Sequence, residues 1–425
     1  MGNRGWGFDD LVPYFKRSET RLGPGDDRFR GRDGELPITD MDWINPLAEA
    51  FLDAAEGLGI PRTPDYNAGF QFGAGYFQRN IHKGKRVSAA KAFLRPALRR
   101  RSTELRTRAQ VVEIVLEGNK ATGVRYRDGG GSEHLVQARR EVILSAGAVN
   151  SPKILQLSGI GPRDLLREIG VPVRIERAGV GENLRDHYSV RMTARARKVQ
   201  TINERARWPR LPFEVAKWAM GKPSVLALCP TIGFVHGKSH PDLEEADLRI
   251  LFTPGSYMEG KVYVLDDHPG MTCGAAQPRP ESSGYVRAVS RDPADAPRVQ
   301  PNYLAAEADQ RITLAGLRLV RALFNSKELA PYFDCETLPG PDVTSEDELL
   351  DFARRRGNTG YHLVGTCRMG PDTDATAVVD DTLRVHGVTG LRVVDASIMP
   401  MLPSANTFAS TIAIAEKAAD MIRTP

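Results

Sequence analysis

Two polar residues near the C-terminus have side chains that suit proton transfer and hydrogen bonding to an oxygen atom. His362 lies in the stretch Asn358-Thr-Gly-Tyr-His-Leu-Val-Gly-Thr-Cys-Arg-Met-Gly370, and Asn406 lies in Pro403-Ser-Ala-Asn-Thr407. A histidine is a suitable base because its ordinary pKa lies near neutrality. The amide of Asn406 can hold an oxygen atom while a base removes its proton. Considered alone, however, a histidine is more commonly structural, and Asn406 also fits the N-cap of a following helix.

The other histidines and the cysteines do not predict a metal site. The four cysteines are far apart and form no CxxC pair, so they favour a reducing compartment over a zinc site or a disulfide framework. His187, which follows Asn-Leu-Arg-Asp186, is interpreted as structural, with Asp186 fixing a turn, and His386 is interpreted likewise. No ligand spacing connects the remaining histidines, which are His82, His134, His236, His240 and His268.

The elements that position these residues predict a mixed α/β and α+β fold. Runs typical of strands at residues 111–116, 123–126 and 141–145 are separated by turn residues, and the last runs into the small-residue turn Ala146-Gly147 and a helix predicted from Ser151. A strand, a small-residue turn and a helix N-terminus commonly receive a nucleotide. Further strands, predicted at 248–253, 261–265 and 284–289, favour an antiparallel sheet that is followed by an amphipathic helix at 309–324.

The C-terminal region predicts a return to the first part of the fold. Residues 391–397 are typical of a buried strand, and residues 407–422 of a closing helix. The helical period places four apolar residues of that helix on one face, which are Ile412, Ala415, Ala419 and Ile422.

Several long motifs occur in an order that one enzyme family shares. They lie at residues 5–19, 85–98, 147–161, 179–187 and 292–304, and in the two C-terminal stretches that contain His362 and Asn406. Together they resemble the glucose-methanol-choline (GMC) oxidoreductases, flavoenzymes that take a hydride from an alcohol. The sequence departs from the family pattern at Lys85, where glycine is usual, and at Leu363, where proline is usual. The Gly-Thr-Cys-Arg-Met-Gly form of the motif is more similar to broad alcohol dehydrogenases than to the choline-dedicated branch.

The resemblance implies FAD as cofactor and oxidation of a primary alcohol to an aldehyde by hydride transfer to the flavin. His362 would be the base, and Asn406 would orient the alcohol oxygen. The residues implied on the cofactor side are Val112 at the adenine, Ala146 and Gly147 beside the adenosine, Asp395 and Ala396 under the pyrophosphate and ring, and Asn406 and Thr407 at the flavin. Val112 also fits ordinary core and Asp395 also fits a turn cap, so both alternatives stay open.

The GMC family begins with a G-x-G-x-x-G loop, and this sequence contains none. Asp128-Gly-Gly-Gly131 instead predicts a hairpin turn. The expected organisation is the remainder of the FAD-binding region at 1–190, a connecting part of the substrate domain at 191–280, and at 281–422 the C-terminal region, which returns to the FAD domain from about 375. The alternatives left open are a cofactor-deficient inactive fragment, a binding module that complements a separate polypeptide, and a non-redox member similar to hydroxynitrile lyases.

Composition and charge are ordinary for a globular protein. The 425 residues carry a net charge of +5, with 41% hydrophobic and 26% charged residues. The basic run Arg99-Arg-Arg101 favours a solvated turn over a nucleic-acid surface, and no apolar run is long enough to predict a transmembrane helix. The partners that the resemblance implies are a small-molecule alcohol and a quinone-like or other electron acceptor, and no nucleic acid is expected. The expected location is the cytoplasm, with peripheral association with the inner membrane as an open alternative.

Overall fold

The computed structural model describes residues 2–229, 231–258, 261 and 264–423. The α-helices in this part are Phe8–Ser18 (α1), Pro46–Gly57 (α2), Arg95–Ala97 (α3), Gly147–Leu157 (α4), Arg163–Glu168 (α5), Ile202–Arg205 (α6), Leu211–Ala219 (α7), Glu307–Phe324 (α8), Glu346–Arg356 (α9) and Thr407–Arg423 (α10). Short turns of other helix types lie at Ala90–Leu94, Val225–Ala227 and Ala396–Ile398.

The strands of the described residues fall into one large sheet and several small ones. They are Glu19–Arg21 (β1), Leu36–Ile38 (β2), Gly73–Tyr76 (β3), Ile81–His82 (β4), Lys85–Arg86 (β5), Gln110–Glu117 (β6), Lys120–Arg127 (β7), Glu133–Gln137 (β8), Val142–Leu144 (β9), Ile160–Gly161 (β10), Ile175–Glu176 (β11), Glu182–Leu184 (β12), Tyr188–Ala196 (β13), Gly233–Gly237 (β14), Leu248–Thr253 (β15), Gly270–Ala276 (β16), Gly284–Arg287 (β17), Arg298–Gln300 (β18), Phe333–Leu338 (β19), Asn358–Thr359 (β20) and Leu391–Val393 (β21).

The large sheet is antiparallel and has one face covered by helices. Its strand order is β19-β13-β16-β15-β14-β3, with β20 paired to β13. Helices α2 and α8 pack against its central strands and touch each other, and Phe51 of α2 stacks on Phe252 of β15 with ring centroids 4.2 Å apart. Because side chains alternate along a strand, the residues next to Phe252 and Ile250 in β15 face away from these helices. Arg249 is therefore directed to the opposite face of the sheet.

A second core joins the two ends of the sequence. Strands β9 and β21 pair in parallel, with Val142 opposite Leu391 and Leu144 opposite Val393. Helix α4 packs between strand β6 and the short turn at Ala396–Ile398, over the antiparallel hairpins β6-β7-β8. The early and late parts of the chain are thus interleaved in space, while the boundaries expected at 190 and 280 stay predictions.

Local capping explains where several helices begin. Asn45 accepts a hydrogen bond from the backbone N–H of Leu47, and Pro46 occupies the first turn of α2, where its missing N–H costs no hydrogen bond. Ser345 and Glu348 form a capping box at the start of α9, whose last turn carries three arginines that complement the helix dipole.

Most predicted elements are confirmed, with local differences. The strand at 248–253 and the helix at 309–324 form, and the turn at 128–131 closes the β7-β8 hairpin. Helix α4 begins at Gly147, four residues before the predicted start. The strand predicted from 284 lies outside the large sheet, in a small sheet where it pairs with β12 and β18. Its Tyr285 lies opposite Glu182 of β12 and Gln300 of β18. Residues 262–263 of the strand predicted at 261–265 lie outside the described residues.

The closing helix forms, and the stripe that it buries differs from the face shared by its four predicted apolar residues. The buried residues of α10 are Ala413, Ile414, Lys417 and Ala418. Ala415 and Ala419 are exposed. An alanine-rich helix gives two neighbouring stripes of similar hydrophobicity, so the sequence period does not select between them. No helix of the described residues is long and apolar enough to cross a membrane.

Candidate active site

His362 is held by its backbone in a loop that Asp186 anchors. The His362 N–H donates to Oδ1 of Asp186 over 2.7 Å, and Oδ2 of Asp186 accepts from the Tyr303 hydroxyl over 2.5 Å and from the Thr359 hydroxyl. Tyr361, immediately before His362, has a φ of 59°. The buried carboxylate of Asp186 therefore ties together three segments and fixes the backbone from which the His362 ring projects.

A second histidine determines which nitrogen of His362 is free. Nδ1 of His187 lies 2.9 Å from Nδ1 of His362, and Nε2 of His187 lies 2.7 Å from the carbonyl oxygen of Pro278. A carbonyl oxygen only accepts hydrogen bonds, so His187 donates from Nε2 and, when neutral, accepts at Nδ1. His362 must then donate from Nδ1, which leaves its Nε2 without a proton. This tautomer has a lone pair available to accept a proton.

Burial keeps both imidazoles neutral. Desolvation, with the neighbouring His362 as second cause, lowers the pKa of His187 from 6.5 to about 3. Desolvation and then the positive charge of Arg249 lower the pKa of His362 as well, although Asp186 opposes this shift. Near neutral pH both rings are therefore uncharged, as the hydrogen-bond directions require.

Arg249 fixes the orientation of Asn406. Nη2 of Arg249 donates to Oδ1 of Asn406 over 2.8 Å. Because a guanidinium only donates, the amide oxygen of Asn406 must be the bonded atom, and its NH₂ group is left to donate elsewhere. Since Arg249 bonds to Asn406 and its charge acts on His362, the two predicted catalytic residues lie around the same guanidinium.

The comparisons with known proteins agree with the motifs. Residues 1–189 and 280–415 match the two regions described as GMC oxidoreductase. The chain is 38% identical to the "Oxygen-dependent choline dehydrogenase" of Staphylococcus saprophyticus over 424 residues, which cover 99% of this chain and 75% of that protein. It belongs to the GMC oxidoreductase family. The corresponding protein of Staphylococcus xylosus is 36% identical over the same 99% of this chain and 75% of its own length.

Solved structures share the fold of this GMC oxidoreductase. Pyridoxine 4-oxidase from Mesorbium loti superimposes with a TM-score of 0.87 at 31% identity, covering 99% of this chain and 78% of that one. Formate oxidase superimposes with a TM-score of 0.88 over 100% of this chain and 79% of that one, at 24% identity. The predicted GMC-type mixed fold is therefore confirmed, and FAD is the cofactor of the family.

The residues predicted beside the adenosine are brought together at the ends of β9 and β21. Oδ2 of Asp395 accepts from the Gly147 N–H over 2.8 Å and from the Ser151 hydroxyl over 2.5 Å. Ala146 belongs to the same turn, and its N–H donates to the Ser151 hydroxyl over 3.0 Å. Oδ1 of Asp395 accepts from the Ser397 N–H, so Asp395 also caps the turn at Ala396–Ile398. Both interpretations of Asp395 are thus compatible with its contacts.

The space in front of this turn fits a nucleotide. Gly147 has a φ of +82°, and no atom lies within 4 Å of where its Cβ would be. Such an open backbone edge lets FAD approach the chain closely.

Two other predicted contacts lie on elements that border this turn. Val112 is half-buried at an irregularity in the pairing of β6 with β7, where the register shifts between Val111 and Glu113. Such a bulge redirects a side chain out of the ladder. Thr407 is the half-buried first residue of α10, and its carbonyl oxygen accepts from the Thr411 hydroxyl. The roles of both residues stay predictions.

Sequence reasoning missed Arg249 and underestimated His187. A signal for Arg249 was present, because it is the only charged residue in the otherwise apolar strand Leu-Arg-Ile-Leu-Phe-Thr253. His187 was interpreted as structural, and its contact with His362 gives it a direct connection to the predicted base. Spacing along the sequence could not show this contact, because 175 positions separate the two residues. Among the described residues, no cluster of side chains could hold a metal ion.

Proposed function

We propose that this GMC oxidoreductase oxidises a primary alcohol to an aldehyde, with His362 as the base and Asn406 as the hydrogen-bond donor to the substrate oxygen. The observation that carries the proposal is the contact between the Nδ1 atoms of His187 and His362. It leaves Nε2 of a neutral His362 as a proton acceptor. The family membership supports the redox character of the reaction.

FAD, when bound, supplies the hydride acceptor that amino-acid side chains lack. The residues of the chain then act on the hydroxyl group. Nε2 of His362 accepts the hydroxyl proton, and the NH₂ group of Asn406 donates to the oxygen as negative charge develops there. Because the lowered pKa makes His362 a weaker base, stabilisation of the alkoxide by Asn406 and by the nearby charge of Arg249 is needed to favour the proton transfer.

The proposal predicts that alcohols bleach the flavin absorbance of the FAD-loaded protein under anaerobic conditions. His362→Ala should abolish this bleaching, while His240→Ala, at an exposed position, should leave it unchanged. Bleaching at the wild-type rate in His362→Ala would reject the role of this residue. Flavin content measured before each assay separates loss of chemistry from loss of cofactor.

We also propose that the protein works in the cytoplasm and passes electrons to a quinone-like or other acceptor. All four cysteines are free, which suits a reducing compartment. The two staphylococcal relatives carry the name choline dehydrogenase, whereas the motif around Thr366 favours broader alcohol dehydrogenases.

For peripheral association with the inner membrane, we propose α7 and the residues around it as the contact surface. Glu214 is the only buried residue of this helix, whereas Trp208 is 82%, Phe213 is 70% and Met220 is 62% exposed. The helix thus directs its apolar residues outward and its carboxylate inward, where Arg205 and Lys217 pair with it. A helix with exposed aromatic residues and basic neighbours matches an anionic lipid surface. The basic residues between Trp208 and Lys222 are Arg210, Lys217 and Lys222.

Sedimentation with liposomes tests this surface. The wild-type protein should sediment with vesicles that contain phosphatidylglycerol, less so at high salt, and weakly with phosphatidylcholine alone. The double substitution of Trp208 and Phe213 by alanine should reduce binding at least about tenfold, given the apolar area removed. Phe70→Ala, at an aromatic residue that is 84% exposed elsewhere, is the matched control. Equal binding of the double variant and the control would exclude α7 as the contact.

A further inference from the structure

A buried arginine faces the candidate active site without a carboxylate to balance its charge. Arg249 is 6% exposed, and no ion pair joins it to an Asp or Glu among the described residues. Within the part of the chain that the structure describes, its one hydrogen bond to a side chain goes to the neutral amide of Asn406, and its Nε is buried without a partner. A guanidinium has five N–H donors, so most of its capacity to bind oxygen is unused. A buried charge in this state is costly unless a ligand completes it.

The groups around Arg249 are neutral and do not offer an internal counter-ion. His236 lies directly opposite Arg249 on the neighbouring strand, and His362 and His187 also sense its charge. Desolvation and then Arg249 lower the pKa of His236 from 6.5 to about 3, so this ring is uncharged near neutral pH. Phe77 presents its ring to the guanidinium at 5.2 Å. Desolvation lowers the pKa of Arg249 to about 10 against the opposing effect of Tyr66, and Arg249 stays protonated. Burial raises the pKa of the Tyr66 hydroxyl, so this neighbour is also uncharged near neutral pH.

His236 supplies a second unsatisfied atom on the same face of the sheet. Its Nδ1 lies 3.0 Å from the carbonyl oxygen of Gln71 and therefore donates to it, so its buried Nε2 is an acceptor that has no partner. A ligand that completes this site must offer acceptor oxygens to Arg249 and a hydroxyl or bound water to His236. A carboxylate matches the planar fork of a guanidinium.

We propose that Arg249 binds the carboxylate of the substrate, so that the enzyme acts on hydroxy acids whose alcohol group reaches His362. This inference rests on the proposed function for the identity of the ligand as substrate. Arg249 then serves two purposes, since it orients Asn406 and neutralises the substrate. A quaternary ammonium, as in choline, would meet an unbalanced positive charge here and is disfavoured.

Binding of compounds that cannot be oxidised tests the site separately from turnover. A tertiary alcohol has no carbinol hydrogen, so 2-hydroxy-2-methylpropanoate and its neutral amide can be titrated calorimetrically into the FAD-loaded protein. The carboxylate should bind on the order of 10- to 100-fold more tightly than the amide, the range expected for a charge-assisted hydrogen bond. Arg249→Gln keeps an N–H donor for Asn406 and removes the charge, so it should remove this preference. Arg195→Gln, at an exposed arginine of the same sheet, should retain it.

The outcomes separate this inference from the proposed function. If wild-type protein binds carboxylate and amide equally, the inference is overturned, whether or not alcohols are oxidised. The inference is also overturned if Arg249→Gln weakens the binding of both compounds equally. Arg249 would then act by supporting Asn406 or the flavin and not by binding the carboxylate. If the preference is found but no primary alcohol, 3-hydroxypropanoate included, bleaches the flavin, the anion site stands and the proposed reaction fails. If Arg249→Gln does not fold, Arg249→Lys takes its place in the test. Lysine keeps the positive charge, so this variant is expected to bind the carboxylate more tightly than the amide. Loss of that preference in Arg249→Lys would count against recognition of the carboxylate by charge.

Discussion

Replacing His187 by glutamine should make the protein less sensitive to acid. In the folded state burial lowers the pKa of His187 from 6.5 to about 3, so the unfolded chain binds a proton here that the folded chain does not. The contribution of His187 to the free energy of unfolding is fully present above pH 6.5 and is lost as the pH falls toward the folded-state pKa. At about pH 5 the loss corresponds to roughly 1.5 pH units, or about 2 kcal/mol at 1.36 kcal/mol per unit. Glutamine does not titrate but can still donate to Pro278 and accept from His362.

The assay is denaturant unfolding, followed by tryptophan fluorescence, at about pH 7.5 and about pH 5. The difference in unfolding free energy between the two pH values should be smaller by about 2 kcal/mol in His187→Gln than in wild type. His240→Gln, at an exposed position, controls for removal of a histidine in general. An unchanged difference would mean that His187 takes up its proton in the folded state near its ordinary pKa. The neutral acceptor at Nδ1, and with it the free Nε2 of His362, would then be lost below about pH 6.5, against the reasoning that burial keeps both rings uncharged there.

Three further results are expected. The pKa of His362 is lowered by burial, so its imidazole stays neutral to below pH 6.5 and kcat/KM should fall only at lower pH. A fall in kcat/KM centred above pH 6.5 would contradict this. Asn406→Ala removes a donor to the developing alkoxide and should lower kcat/KM about 100-fold in steady-state kinetics, with Asn119→Ala in the exposed β6-β7 turn as control. Gly147→Ala introduces a side chain at positive φ into the open nucleotide space and should reduce the flavin retained after desalting about tenfold. Gly118→Ala shares the positive φ in an open turn away from that space and should retain flavin normally.

The parts of the fold that could be predicted from the sequence are those with strong local signals. The glycines at 129–131 marked a hairpin turn between two predicted strands. The turn at Ala146-Gly147 was found because small residues follow a strand directly. Each of these features depends on neighbours in the sequence, so tertiary contacts were not needed to recognise it.

The remaining features depend on contacts between distant parts of the chain. Arg249 could be recognised as functional only once the helices α2 and α8 were seen to cover the other face of its strand. The buried face of α10 depends on which of two similar stripes its neighbours contact. His187 and His362 come together because Asp186 bonds to the backbone of His362, and no periodicity reports such a bond. The candidate site was therefore predicted as a set of residues, but its hydrogen-bond directions and its charge were not.

The parallel pairing of β9 with β21 has a consequence for synthesis of the protein. Val142–Leu144 leave the ribosome about 250 residues before their partner Leu391–Val393. At about 5–20 residues per second, that interval is roughly 12–50 s. During this time the nascent strand has an unpaired edge on this side, which is a site for pairing with another chain. Asp395, which bonds to the Gly147 N–H at the end of β9, is synthesised 248 residues after that glycine, so this edge is expected to benefit from chaperones that shield it.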